Sequence, residues 1–157
     1  ALLDDYYLKG REKCYRDIPH KIIAEPIIGG DDLKDYKVHC FSGRPLIIQV
    51  DMDRFTCHTR NLYTAEWEYI DLSILYPTNP SKIEEKPKLL KQLLDVSATL
   101  AGDLPYARVD MYIDDNRLYF GEITFFHGSG YEPFDPPAWD MKFGDWIILE
   151  NVKKEEL

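Results

Sequence analysis

The chain has 157 residues, the size of one ordinary domain able to bury a sizeable core. Hydrophobic residues make up 45%, charged residues 30% and aromatic residues 13%, a composition that argues against disorder, and no apolar run nears the roughly 20 residues of a membrane span. A net charge of −9 argues against a general nucleic-acid or anionic-membrane binder; a phosphate compound would need a local cluster of bases and a metal. Cys14, Cys40 and Cys57 form no CxxC pair, which argues against zinc and a disulfide framework and points to a reducing cytoplasm. The chain opens on Ala1 rather than Met and is read as a fragment.

Residues 3–17 are polar, with aromatics at 6, 7 and 15, and read as a short helix or a loop within a connecting segment over 1–19. Lys21 to Ile28 (KIIAEPII) is a β-branched run that predicts a strand. Pro26 cannot donate to a ladder, so it ends that strand or keeps it on an edge. Gly29-Gly30-Asp31-Asp32 reads as a flexible loop. DYKVHCF and RPLIIQVD flank Ser42-Gly43 and predict a β-hairpin. Asp51 to Tyr63 reads as a loop and a short strand, and 64–80 as irregular, with Pro77 and Pro80. The best helix runs from Pro87, which suits a first helical position, to about Ala101. Leu89, Leu93, Val96 and Leu100 form its apolar stripe, flanked by Leu90 and Leu94, and Gly102 sits where a cap glycine belongs. ARVDMYI and RLYFGEIT predict a second hairpin around Asp114-Asp115-Asn116. FFHGSGYEPFDPP reads as loop, and the tail as a short amphipathic element around Trp146.

Asp110 and Glu122 each lie inside a predicted strand, where an acidic residue is unfavourable. The parity of the pairing decides whether they can cooperate. A three-residue loop at 114–116 would pair Ile113 with Arg117 and put Arg108, Asp110, Glu122 and Thr124 on one face, with Asp110 diagonal to Glu122. A two-residue loop would put the carboxylates on opposite faces. Two carboxylates and a hydroxyl on one face make a hard-oxygen site suited to magnesium with bridging phosphates. Arg108 alongside could hold a phosphate or a developing negative charge. The alternative is an exposed sheet face on which Arg108 pairs with Glu122 and Asp110 faces water. Carboxylates crowded on one face repel, so neutralising either one is expected to leave stability unchanged or slightly raised.

RVDMYI…LYFGEIT resembles the metal-binding hairpin of ATP-grasp enzymes, an R-x-D strand followed by a strand ending E-x-N. FFHGSG is similar to the glycine-bearing loop that follows in that superfamily. IIAEPII resembles its adenine-carrying linker strand, and DYKVHCFSGRPLIIQVD the next hairpin. DMDRFTCHTRNLYTAEW resembles the TupA-like group, associated with teichuronopeptide and other surface-polysaccharide biosynthesis. The resemblance runs from about Lys21 to Pro137. Thr124 stands where the superfamily usually has Asn, so a metal contact there would run through a hydroxyl.

The resemblance implies an α+β fold, an antiparallel sheet with helices on one face, as in the C-terminal subdomain of ATP-grasp proteins. It implies ATP and magnesium as cofactors, with Asp110, Glu122 and Thr124 as metal ligands and Arg108 as the catalytic residue that stabilises charge on the transferred group. Glu25 would face the nucleotide and Ile27 or Ile28 would wall its base, unless Glu25 only decorates an exposed edge. Asp31, Asp32 and Asp35 are candidates for the ribose hydroxyls or simply solvated. Lys37, Arg54 and Arg60, with His58, would meet phosphates or lie scattered on the surface. His127 reads as a base or, more simply, a loop histidine bonded locally; His20 and His39 have no evident partners, and the aromatics at 63–69 read as core.

The implied activity is amide-forming ligation of a carboxylate and an amine in cell-surface polysaccharide biosynthesis. A glycosyltransferase of the same pathways and a non-catalytic nucleotide-binding module stay open. The implied partners are ATP and a small-molecule or polysaccharide-linked substrate, with no nucleic acid, no membrane span and room for a homo-oligomer. No glycine-rich phosphate loop precedes Lys21. The chain is therefore expected to be a C-terminal portion that is inactive alone.

Overall fold

In this computed structural model the described residues are 7, 10–30, 33–53 and 56–149. Eight strands are seen among them: β1 (Asp35–Phe41), β2 (Arg44–Met52), β3 (Thr59–Thr64), β4 (Tyr69–Ile70), β5 (Ser73–Ile74), β6 (Ala107–Asp114), β7 (Arg117–Thr124) and β8 (Phe134–Asp135). Two α-helices accompany them, α1 (Leu90–Ala101) and α2 (Ala138–Trp146). Six strands form one sheet in the order β4-β3-β2-β1-β6-β7, with every neighbouring pair antiparallel. β5 and β8 form a separate antiparallel ribbon. This is the α+β class expected, an antiparallel sheet with helix packed on its face. No helix among the described residues is long and apolar enough to cross a membrane.

The sheet's two faces are chemically unlike, and the strand sequences dictate it through their period of two. Tyr36, Val38 and Cys40 of β1, Ile48, Val50 and Met52 of β2, and Val109 and Met111 of β6 share one face. They bury against Leu90, Leu93 and Ala101 of α1. The alternate residues Asp35, Lys37, His39, Gln49, Asp51, Arg60 and Asp110 lie on the opposite face, all buried. At one end of that second face Phe41, Ile47 and Leu62 join Ile70, Leu72, Ile74 and Phe143 of α2 in a smaller apolar cluster. A charged layer is thus walled between an apolar face and an aromatic cluster.

The first hairpin forms as expected. Ser42 and Gly43 both take positive φ (49° and 72°), the geometry that matches a two-residue turn to the twist of its strands. The turn rests on the end of α1: a Cβ at Gly43 would lie 2.6 Å from the Gly102 carbonyl oxygen.

The second hairpin departs from the odd-length turn. Asp114 pairs with Arg117, so the loop is the two-residue Asp115-Asn116, with φ of 46° and 57°. Parity is restored farther along. The register shifts between Asp110 and Met111, where Met111 pairs with Phe120 but Asp110 pairs with Glu122. Gly121 is the extra residue of a β-bulge. A Cβ there would meet the Tyr112 ring at 2.9 Å and the Asp110 carbonyl oxygen at 3.0 Å. The carboxylates are directly opposed rather than diagonal.

Three other expectations change. Residues 21–28 form no strand; they run extended without a ladder, with Ile22, Ile23 and Ile27 at 80%, 79% and 97% exposure. A β-branched run marks a strand only where a neighbour pairs with it, and Pro26 weakens the offer of hydrogen bonds. The helix turns a different face inward: Leu90, Leu93, Ser97 and Ala101 are buried, and Leu100 is 38% exposed. Small Ser97 and Ala101 let the helix approach the sheet where the longer stripe would hold it off. The 64–80 stretch contributes β4 and β5, and the loop after β7 contributes β8.

Two measurements check this packing. Gly43→Ala forces a side chain onto the α1 terminus at positive φ and is expected to lower unfolding stability by about 1–3 kcal/mol. Gly30→Ala meets nothing within 4 Å and should stay within about 0.5 kcal/mol of the parent; chemical denaturation compares them. His39 is fully buried, and that burial, helped by the nearby His127, drives its pKa well below the usual histidine value. The unfolded chain then takes up the proton first, so stability holds above about pH 6.5 and falls as pH drops toward the folded value, by at most about 1.4 kcal/mol per unit. His39→Gln should flatten that slope between pH 7 and 5.

Candidate functional site

Three strands position the centre of the site. Lys37 on β1 lies opposite Asp110 on β6, and Asp110 opposite Glu122 on β7. Arg108 grips Asp110 in a two-pronged contact, Nε to Oδ1 at 2.7 Å and Nη2 to Oδ2 at 2.8 Å. The same Nη2 donates to Glu122 Oε1 at 3.3 Å and to Thr124 Oγ1 at 3.1 Å. Thr124 in turn donates to Glu122 Oε1 at 3.2 Å. Lys37 Nζ reaches Asp110 Oδ2 at 2.5 Å and Asp35 Oδ2 at 2.7 Å. Burial works against the charge on Arg108, but its hydrogen bond and charge contact with Asp110 outweigh it and hold the guanidinium above its ordinary pKa. The two carboxylates differ sharply: the Asp110 side chain is 2% exposed and that of Glu122 64%.

The polar layer continues across β2 and β3. Asp51 accepts from Gln49 Nε2 at 3.3 Å and from Arg60 Nε at 2.7 Å. Arg60 also donates to the Ile74 carbonyl at 2.9 Å and reaches Glu132 at 3.4 Å. Glu132 meets His127 Nδ1 at 3.2 Å. Burial alone would raise the Glu132 pKa, but the His127 hydrogen bond and the Arg60 charge bring it below the usual carboxylate value. Asp51 behaves likewise, burial opposing and Arg60 winning. His39 contacts Tyr106 Oη at 2.9 Å and Gln49 Oε1 at 3.3 Å. A Cβ on Gly128 would sit 2.1 Å from Glu132 Cγ, so this glycine gives the glutamate its place.

A cleft of about 610 Å³ opens over the centre, lined by Glu25, Ile28, Lys37, Asp110 and Glu122 among others. Glu25, Pro26 and Ile28 form its outer wall, and the Gly29 amide donates to Asp114 at 3.1 Å where that stretch meets the hairpin. A second cleft, about 660 Å³, lies on the far side of Glu122 and includes Arg108, Thr124, His20 and Lys21.

These residues suit a divalent cation held jointly with phosphate. Among the described residues no three His, Cys, Asp or Glu side chains could hold a metal by themselves. Magnesium, however, commonly takes one or two carboxylates and fills its shell with phosphate oxygens and water. Here Asp110, Glu122 and Thr124 already converge on one positive group, the Arg108 guanidinium. In the connected layer five carboxylates (Asp35, Asp51, Asp110, Glu122, Glu132) face three permanent cations (Lys37, Arg60, Arg108).

The structure therefore brings together Glu25, Ile28, Lys37, Arg108, Asp110, Glu122 and Thr124 around two adjoining clefts. It does not bring Arg60 to them; Arg60 is buried in its pairing with Asp51, Ile74 and Glu132. Arg54 lies outside the described residues, as do Asp31 and Asp32. Asp35 lies beneath Lys37 rather than in a loop. Asp51, Gln49, His39 and Glu132 were missed as members of the layer. Their signal was present: Asp35, Lys37 and His39 alternate with apolar residues along β1, as Gln49 and Asp51 do along β2. Two polar faces at matching parity mark a charged interior.

The family model for TupA-like ATPgrasp matches residues 1–148. No curated protein matches the chain. Among solved structures the chain is similar to the D-alanine--D-alanine ligase from Bacillus anthracis, at 24% identity over 85% of this chain and 44% of that one, with a TM-score of 0.47. The chain thus spans less than half the length of that ligase. With a family match over nearly its whole length, the chain belongs to the TupA-like ATP-grasp family.

Proposed function

We propose that this chain supplies the metal- and phosphate-holding wall of an ATP-dependent ligase that joins a carboxylate to an amine in cell-surface polysaccharide assembly. The observation that carries the reading is the convergence of Asp110, Glu122 and Thr124 on one cationic group beside a cleft that Lys37 and Glu25 also line. Family membership supports nucleotide and magnesium use in general.

The residues divide the work. Asp110 is fixed by Arg108 and Lys37 and offers an immobile oxygen pair. Glu122 is exposed and free to turn toward an incoming ligand. When bound, magnesium would neutralise phosphate oxygens and align the transfer. Arg108, released from Glu122, keeps its grip on Asp110 through Nε and can turn Nη2 to the charge developing on the transferred phosphoryl group. Lys37 adds a point charge at the cleft wall. Ile28 and Glu25 would meet the base and sugar from the outer segment. Cys14, Cys40 and Cys57 are all free thiols, which suits a reducing cytoplasm.

Turnover in the full-length protein tests the reading. Glu122→Gln should reduce magnesium-dependent ADP release on the order of 100-fold while changing stability by less than about 0.5 kcal/mol, because the side chain is exposed. Asp110→Asn should abolish turnover as well, but at a stability cost. The carboxylates do not crowd and repel as the spacing alone suggested; Arg108 sits between them. Neutralising Asp110 strips the buried Arg108 and Lys37 of their shared partner and is expected to cost about 3 kcal/mol. Unaltered ADP release in Glu122→Gln would sink the metal role. Consumption of a sugar nucleotide without ADP release would favour glycosyl transfer instead.

A further inference from the structure

A cavity larger than the cleft over Asp110 lies against the aromatic cluster. It encloses about 890 Å³ and is lined mainly by aromatic and apolar side chains, among them Tyr106, Phe126 and Phe134, with His127, Glu132 and Asp140 as its polar groups. That volume suits a small-molecule ligand. Phe126 also lines the cleft that contains Arg108, Glu122 and Thr124, so this cavity and the proposed phosphoryl-transfer centre share a wall.

His127 is arranged as a proton acceptor. Its Nδ1 lies 3.2 Å from Glu132 Oε2. An ionised carboxylate can only accept, so Nδ1 carries a hydrogen and Nε2 is the ring nitrogen left for a ligand. Glu132 is held by Arg60, which Asp51 anchors. Among the described residues Nε2 makes no hydrogen bond. A carboxylate that orients a histidine beside a cavity is the arrangement of a general base.

We propose that this aromatic cavity seats the amine acceptor of the reaction, a primary amine on a body with an apolar face, and that His127 takes its proton. The proposal rests on the ligase reading above. The rings stack on the apolar face and attract the ammonium, while Glu132 and Asp140 complement its charge. An ammonium must lose two of its three protons to become an amide. The first passes to His127 Nε2 and frees the lone pair. The nitrogen then attacks the acyl-phosphate carbonyl carbon, the C–N bond forms, and the C–O bond to phosphorus's oxygen breaks. That electron pair leaves on phosphate, which carries away the second proton as hydrogen phosphate.

Benzylamine serves as the probe, titrated into full-length protein labelled in its histidine rings and followed by NMR. Benzylamine should shift the His127 ring signal, assigned by its loss in His127→Gln, and bind at least fivefold more tightly than benzyltrimethylammonium, which has no N–H to donate. His127→Gln should remove that preference. The wild-type titration needs no turnover. Absence of the His127 shift, or equal binding of both probes, overturns the cavity assignment. Turnover of ATP without the shift overturns this inference alone. Benzylamine binding without any ATP turnover overturns the ligase reading and the proton transfer with it.

Discussion

The fold is organised around a carboxylate that water does not reach. Asp110 is 1% exposed, and Arg108 and Lys37 close on its carboxyl group from two sides. Removing an ion pair from water costs several kcal/mol per charge, and the interior returns this only where geometry is good and the remaining lone pairs are used. Both conditions hold here. They require β1, β6 and β7 to align within one residue of register, since Lys37 lies opposite Asp110 and Asp110 opposite Glu122. A one-residue slip would send Lys37 into the apolar layer under α1 and leave Asp110 uncompensated. The ion cluster contributes specificity of register, while the apolar cluster on the opposite face contributes stability.

That division explains why two carboxylates of one motif have such different surroundings. In the proposed role one carboxylate is the fixed ligand and the other the one that can move. Asp110 is fixed by permanent cations. Glu122 sits on the edge strand β7, outermost in the sheet, where no further strand restrains it. It shares only weak contacts of 3.2–3.3 Å with Arg108 and Thr124. In the proposed exchange of the guanidinium for a metal, the bonds broken would be these exposed ones, and the buried pair would stay intact.

Much of this was legible in the sequence, though not always for the reason first supplied. The spacing of Asp110 and Glu122 implied a shared face, and they share one. The assumed device was an odd-length turn, whereas the turn is even and Gly121 inserts the missing residue as a bulge. A bulge leaves little mark in a single sequence beyond a glycine inside a strand, and that glycine was the available signal. The strand expected over 21–28 failed because β-branching reports fitness for a sheet and not the presence of a partner. The helix was found but its inner face was misjudged, because Ser97 and Ala101 lack the apolar bulk on which a periodicity argument relies. The layer of Asp51, Arg60 and Glu132 joins residues up to 81 positions apart in the chain, a relation set by tertiary packing.

The buried layer also couples two places that the chain keeps apart in sequence. From Asp110 it passes through Arg108 and its β1 neighbour His39 to the His127 ring, 5.3 Å from His39 and edge-on to it. From Asp51 it passes through Arg60 to Glu132, the partner of the same His127. Two routes converge on one imidazole at the rim of the aromatic cavity. His39 is kept neutral by its burial, so it transmits position rather than charge. Tyr106 is similarly held neutral, its hydroxyl pKa pushed far up chiefly by burial. His127 therefore has Glu132 as its charged neighbour and no titrating neighbour on the β1 side. The rigid layer thus serves the proposed chemistry by fixing geometry: its buried groups hold in place the two residues to which that reading gives the active parts, the exposed Glu122 and the partly buried His127.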